Sequence, residues 1–181
     1  MRIYSCTENL ALNQIEYQVT SFPDPNAEEW RGVTVFGEFL EDGSLHPLTM
    51  ILLEKARKLA DDDNDKAQML LIGDGLVASA RDYFTYGADR IFVYDDPDLA
   101  TPDTLRHTEI MAHFINNYKP AAILFPQTEL SNHLADCILR YAEAWGNKME
   151  SFSFREPIIP AGVPNPAHRG ELVICEIPEL K

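Results

Sequence analysis

The sequence predicts an α/β domain of three layers, with a mainly parallel sheet between two layers of helices. Three observations carry this expectation. Four short apolar runs have strand character, helical stretches with one apolar stripe separate them, and 181 residues suffice for one core rather than two domains. With 45% apolar and 24% charged residues the chain has the composition of a folded domain. A disordered chain of this net charge would carry far fewer apolar residues.

Residues 1–27 are the least regular part. Ile15-Glu16-Tyr17-Gln18-Val19-Thr20 alternates as an exposed or edge strand does, and Ser21-Phe22-Pro23-Asp24-Pro25-Asn26 breaks it. The segment reads as an extension of a main domain at residues 28–150. There the first strand is expected at 32–37, where Val33, Val35 and Phe36 suit a buried position. Glu41-Asp42-Gly43-Ser44 is turn chemistry. Pro47 then suits the first turn of a helix over 48–60, with Leu48, Ile51, Leu52, Lys55 and Leu59 near one stripe. A second strand at 67–72 ends in Gly73-Asp74-Gly75, and a helix over 76–86 stops at Gly87. The third strand covers 90–94. A helix over 103–118 follows, with Met111, Phe114, Ile115 and Tyr118 on one face. Lys119-Pro120 ends it before a fourth strand at 121–125. A last helix, over 131–145, is expected to start from a Ser or Asn cap. From 151 to 181 the chain is Pro-rich (Pro157, Pro160, Pro164, Pro166) and closes on a strand near 171–177.

Several chemistries are excluded. Net charge −14 argues against nucleic acid and against an anionic membrane surface. No apolar run approaches a membrane span, and the first six residues lack the apolar core of a secretory signal, so a cytoplasmic protein is expected. Cys6, Cys137 and Cys175 have no C-x-x-C spacing and read as reduced thiols. His107 and His113 lie six residues apart, too far out of phase to share a helix face as metal ligands. Asp61-Asp62-Asp63-Asn64-Asp65 lacks the glycine and closing glutamate of a calcium loop and is expected to be a solvated turn. Glu38, Glu41 and Asp42 look like paired acids, yet no matching nucleophile is recognisable, so loop solvation is expected there too. Trp30 and Trp145 suit either interface anchors or core packing.

Gly73-x-Gly75-x-x-Ala78 follows a strand, opens a helix and precedes Asp95 by twenty residues. In form this is a dinucleotide-binding fingerprint. Asp74, however, places a negative charge where pyrophosphate would sit, and the unit is the second strand-helix step rather than the first. A tight turn needing small residues, with Asp95 as a turn former before Pro97, explains the same pattern.

A more specific signal spreads over about residues 29–141. It comprises Arg31-Gly32-Val33-Thr34-Val35-Phe36-Gly37-Glu38, Leu52-Leu53-Glu54-Lys55-Ala56-Arg57-Lys58-Leu59-Ala60 and Leu70-Leu71-Ile72-Gly73-Asp74-Gly75. Tyr86-Gly87-Ala88-Asp89-Arg90-Ile91-Phe92-Val93-Tyr94-Asp95-Asp96-Pro97 and Lys119-Pro120-Ala121-Ala122-Ile123-Leu124-Phe125 continue it. In order and spacing this resembles the N-terminal domain of electron-transfer flavoprotein α-subunits. The resemblance implies the adenine-nucleotide α-hydrolase-like sheet. It also implies that the FAD-binding domain of such subunits is not represented, since the flavin-site arginine, serine and threonine have no counterparts after Tyr141.

Within the domain the sequence departs from the family after the fourth strand. Pro126-Gln127-Thr128 and Ser131-Asn132-His133-Leu134-Ala135 stand where Gly-Ala-Thr and Gly-Arg-Asp-Leu-Ala are usual. Pro126 lacks an N–H and Asn132 replaces a positive charge, so anion binding is disfavoured there. Gly73, Asp74, Gly75, Thr128, Asn132 and His133 are the candidate cofactor-binding residues, His133 as a contact or a proton carrier. No catalytic residue or metal ligand is expected. The resemblance implies a docking or scaffold subunit of an electron-transfer assembly. Its partner would be an electron-transfer flavoprotein β-like subunit or a second copy, with FAD or AMP present only alongside a partner. The alternative is a stand-alone domain that binds an adenine nucleotide.

Overall fold

In the computed structural model, residues 2–9, 14–19, 30–144, 149–153 and 172–177 are described. The chain opens with strands β1 (Arg2–Asn9) and β2 (Gln14–Val19). Then follow β3 (Val33–Gly37), α1 (Pro47–Asp62), β4 (Ala67–Gly73), α2 (Ala80–Phe84) and β5 (Arg90–Asp95). The order continues with α3 (Thr104–Tyr118), β6 (Ala122–Pro126), α4 (Glu129–Ala144), β7 (Met149–Ser153) and β8 (Leu172–Ile177). Among the described residues these strands form one eight-stranded sheet in the order β2-β1-β5-β4-β3-β6-β8-β7. β5, β4, β3, β6, β8 and β7 run parallel, and β1 and β2 are antiparallel at one edge.

Every residue of β3, β4 and β6 is buried, as strands covered on both faces must be. Their alternation divides the core in two. Val33, Val35, Met69, Leu71, Ile91, Val93 and Leu124 meet α1 and α2 on one face. Phe36, Leu70, Ile72, Phe92, Tyr94, Ile123 and Phe125 meet α3 and α4 on the other. The chain crosses from one face to the other between β3 and β6, which leaves the topological switch point at their carboxyl ends.

The helices depart from expectation in instructive ways. On α1 the buried stripe is Thr49, Leu52, Leu53, Ala56 and Ala60, and of the expected stripe Leu52 lies in it while Leu59 packs partly buried at its edge. The expected helix over 76–86 is a 3₁₀ turn, Leu76–Ala78, followed by the short α2. Ser79 separates them, and both its N–H and its Oγ donate to the Leu76 carbonyl. α4 begins at Glu129 rather than 131. Its cap is Thr128, whose Oγ1 accepts from Ser131 N–H at 3.1 Å, so Ser131 and Asn132 lie inside the first turn.

The terminal segments also differ from the reading above. β1 was not anticipated; it pairs with β5 and carries β2 as the edge strand. β7 was not anticipated either, and β8 lies directly against β6. The acidic run at 61–65 is more than a solvated turn. Asp65 Oδ2 accepts from Gly32 N–H at 2.7 Å, and Arg57 binds both Asp61, at 2.7 Å, and Asp89. It thereby ties the end of α1 to the entrances of β3 and β5.

Candidate functional site

Glu38 follows β3 at the switch point. Its main chain is held by the start of α1, since its N–H donates to Thr49 Oγ1 at 3.3 Å and its carbonyl accepts from His46 N–H at 2.8 Å. Its side chain reaches over to α4. Glu38 Oε2 accepts from Thr128 Oγ1 at 2.5 Å and from Ser131 Oγ at 2.6 Å. These are short bonds, as expected when hydroxyls donate to a carboxylate. Ser131 is fully buried and Glu38 half-buried. Glu38 is therefore not a solvated loop acid. It joins the end of β3 to α1 and α4 at the carboxyl ends of β3 and β6. Residue type alone hides it, because its partners stand 90 and 93 positions away.

A second carboxylate sits at the turn after β4. Asp95 Oδ1 accepts from Gly75 N–H at 2.9 Å and Asp95 Oδ2 accepts from Val77 N–H at 3.2 Å. Asp95 thus caps the 3₁₀ turn and is not the turn former before Pro97. That role belongs to Asp96, whose side chain accepts from Asp98 N–H at 3.1 Å. Gly75 has φ 69°, which favours glycine, and a Cβ on Gly73 would lie 2.8 Å from Leu76 Cδ1. The glycines therefore serve the turn itself. Asp74 is exposed.

The candidate residues form two groups, not one. Gly73, Asp74 and Gly75 end β4, whereas Thr128 and Asn132 belong to the end of β6 and the start of α4. β3 intervenes, a separation of roughly 10 Å across two strand spacings. Thr128 meets Glu38. Asn132 Oδ1 and Gln127 Oε1 are buried oxygens without a hydrogen-bond partner among the described residues. His133 is exposed on α4 rather than in a loop. At the β4 turn Asp95 takes the N–H groups of Gly75 and Val77, and at the β6 turn Glu38 takes the Thr128 and Ser131 hydroxyls while Pro126 supplies no N–H.

Burial holds His107 below the usual imidazole range; its Nδ1 lies 2.8 Å from the Asp103 carbonyl and its ring meets Phe36 edge-on. His113 Nδ1 lies 3.2 Å from Tyr94 Oη, and burial pushes His113 down and Tyr94 up. Bonds from the Ser44 side chain and N–H hold Asp42 below the usual carboxylate range. Trp30 packs against the α3–α4 side of the core. Trp145, the prolines at 157–166 and the side chains of Cys6 and Cys175 lie outside the described residues. Among the described residues no helix is long and apolar enough to cross a membrane.

Residues 33–149 match the profile of the electron transfer flavoprotein domain. The chain belongs to this family. Relatives of the chain include subunit LctC of a lactate dehydrogenase (NAD(+),ferredoxin) from Acetobacterium woodii. It is 35% identical over 106 residues, which are 59% of this chain and 25% of that one. Electron transfer flavoprotein subunit alpha of Megasphaera elsdenii is 32% identical over 106 residues, 59% of this chain and 31% of its own. Protein FixB of Azorhizobium caulinodans is 31% identical over 112 residues, 60% and 30% of the two chains. The matched part thus spans between a quarter and a third of these curated relatives.

Proposed function

We propose that this electron transfer flavoprotein domain is an α-subunit-like docking component of an electron-transfer assembly and does not hold flavin on its own. The observation that carries the reading is Glu38, whose carboxylate bridges β3 to α4 at the switch point of an α/β sheet, where such folds bind ligands. The names of its relatives support the electron-transfer setting. A β-like electron transfer flavoprotein subunit or a second copy is the partner, and FAD or AMP would enter only with that partner.

Native mass spectrometry of the protein purified gently from its source tests this. A complex of the chain with a second subunit, with FAD or AMP retained only in that complex, is the expected result. A bare monomer that takes up FAD or AMP, and melts at a higher temperature with either, would replace docking by the adenine-nucleotide alternative. Truncation after Ser151 is a poor test of docking, because it removes β8 and bares β6.

A further inference from the structure

A cavity of about 310 Å³ lies away from the switch point, between α3 and the turn that follows β5. Among the described residues it is lined by Asp96, Leu99, Arg106, Glu109, Ile110 and His113. Its size falls at the lower end of small-molecule sites. Arg106, Glu109, Ile110 and His113 stand at i, i+3, i+4 and i+7 and so form one stripe along α3. Leu99 and Ile110 are 4% and 5% exposed and make an apolar floor. His113, whose Nδ1 lies 3.2 Å from Tyr94 Oη and which burial pushes below the usual imidazole range, also lines the cavity.

Arg106 and Glu109, of opposite charge, flank that floor one helical turn apart, and the Asp96 carboxylate also lines it. Residues at this spacing often pair with each other. Here they do not. Arg106 lies 3.8 Å from Asp98, its side chain 54% exposed, and its charge also helps hold Asp96 below the usual carboxylate range, whereas Glu109 has no ion-pair partner among the described residues. A guanidinium and a carboxylate held a turn apart over an apolar surface match a ligand with the reverse charges and an apolar body. Arg106 lies nearer the N-terminus of α3, where the helix dipole also favours the ligand's anion.

We propose that this cavity binds a small zwitterion with an apolar side chain, of the α-amino acid class. Its carboxylate sits on Arg106, its ammonium on Glu109 and its side chain on Leu99 and Ile110. This site is independent of the docking function and of the Glu38 bridge.

Titration of the full chain with L-leucine, L-leucinamide and 4-methylpentanoate, followed by amide NMR shifts of residues 104–113, tests it. Leucine is expected to bind at least about ten-fold more tightly than either probe lacking one charge, since each lost contact is a hydrogen bond to a charged group. Arg106→Gln should weaken leucine and 4-methylpentanoate and leave leucinamide unchanged; Glu109→Gln should weaken leucine and leucinamide only. Both positions are exposed, so the variants should fold, and an unchanged spectrum away from α3 verifies this. The proposal is overturned by absence of shifts at tens of millimolar leucine, or by shifts that neither substitution alters.

Discussion

The turns after β4 and β6 each start a helix or helical turn, and each receives a carboxylate from another strand. After β4 the acid comes from β5, the neighbouring strand, and takes backbone N–H groups that the 3₁₀ turn leaves unpaired. After β6 Pro126 has no N–H to offer, and side-chain hydroxyls are the donors instead. The acid there comes from β3, across the point where the chain changes face, and its own backbone is pinned by α1. One carboxylate serves a single turn at the rim. The other fastens three elements at the switch point. Similar chemistry therefore gives a local cap in one place and a bridge between β3 and α4 in the other.

The largest effect should follow Glu38→Ala. It strands the buried Ser131 hydroxyl and frees Thr128, and loss of two charge-assisted bonds should cost about 3 kcal/mol in urea unfolding. A loss no greater than that of Asp95→Ala would mean that the Glu38 link is no stronger than a cap. Asp95→Ala should cost about 1 kcal/mol, the usual value of a lost helix cap, with the damage confined to amide exchange around residues 75–84.

The smallest effect is that of pH. Burial lowers the folded-state pKa of His107, which backs β3 through Phe36, so the unfolded chain binds its proton more readily. Stability from this residue is complete above its unfolded pKa of about 6.5 and falls as pH drops through that value towards the folded one. Unfolding midpoints measured between about pH 7.5 and 5.5 should fall for the native chain and fall less for His107→Gln, with His113 supplying part of the remaining slope. The β4 turn contains no histidine. Its local amide protection should stay level over the same range.

Much of the fold was legible because local patterns repeat the demands of the final structure. Val33, Met69, Ile91 and Ile123 sit in runs that are apolar on both sides, which only a doubly covered strand requires. On α3, Met111, Phe114, Ile115 and Tyr118 keep the helical period, and all four are buried. The edges were less legible. β1 and β7 have no such continuous run, and their place follows from backbone pairing with β5 and β8. At the candidate site, the spacing from Gly73 and Gly75 to Asp95 is visible in the sequence, but its meaning is reversed. The acid that resembles a ribose ligand occupies the backbone donors instead.

The sequence by itself determined the αβα layering, the order of the central elements and the family, because periodicity and short motifs act over a few residues. Only the tertiary structure decided that Glu38 bridges β3 and α4, that Asp95 caps the glycine turn, and that Arg106 and Glu109 line one cavity without pairing with each other. Each depends on where a side chain lies relative to groups outside its own segment. Chain reversal through the sheet sets those distances, and no local pattern encodes them.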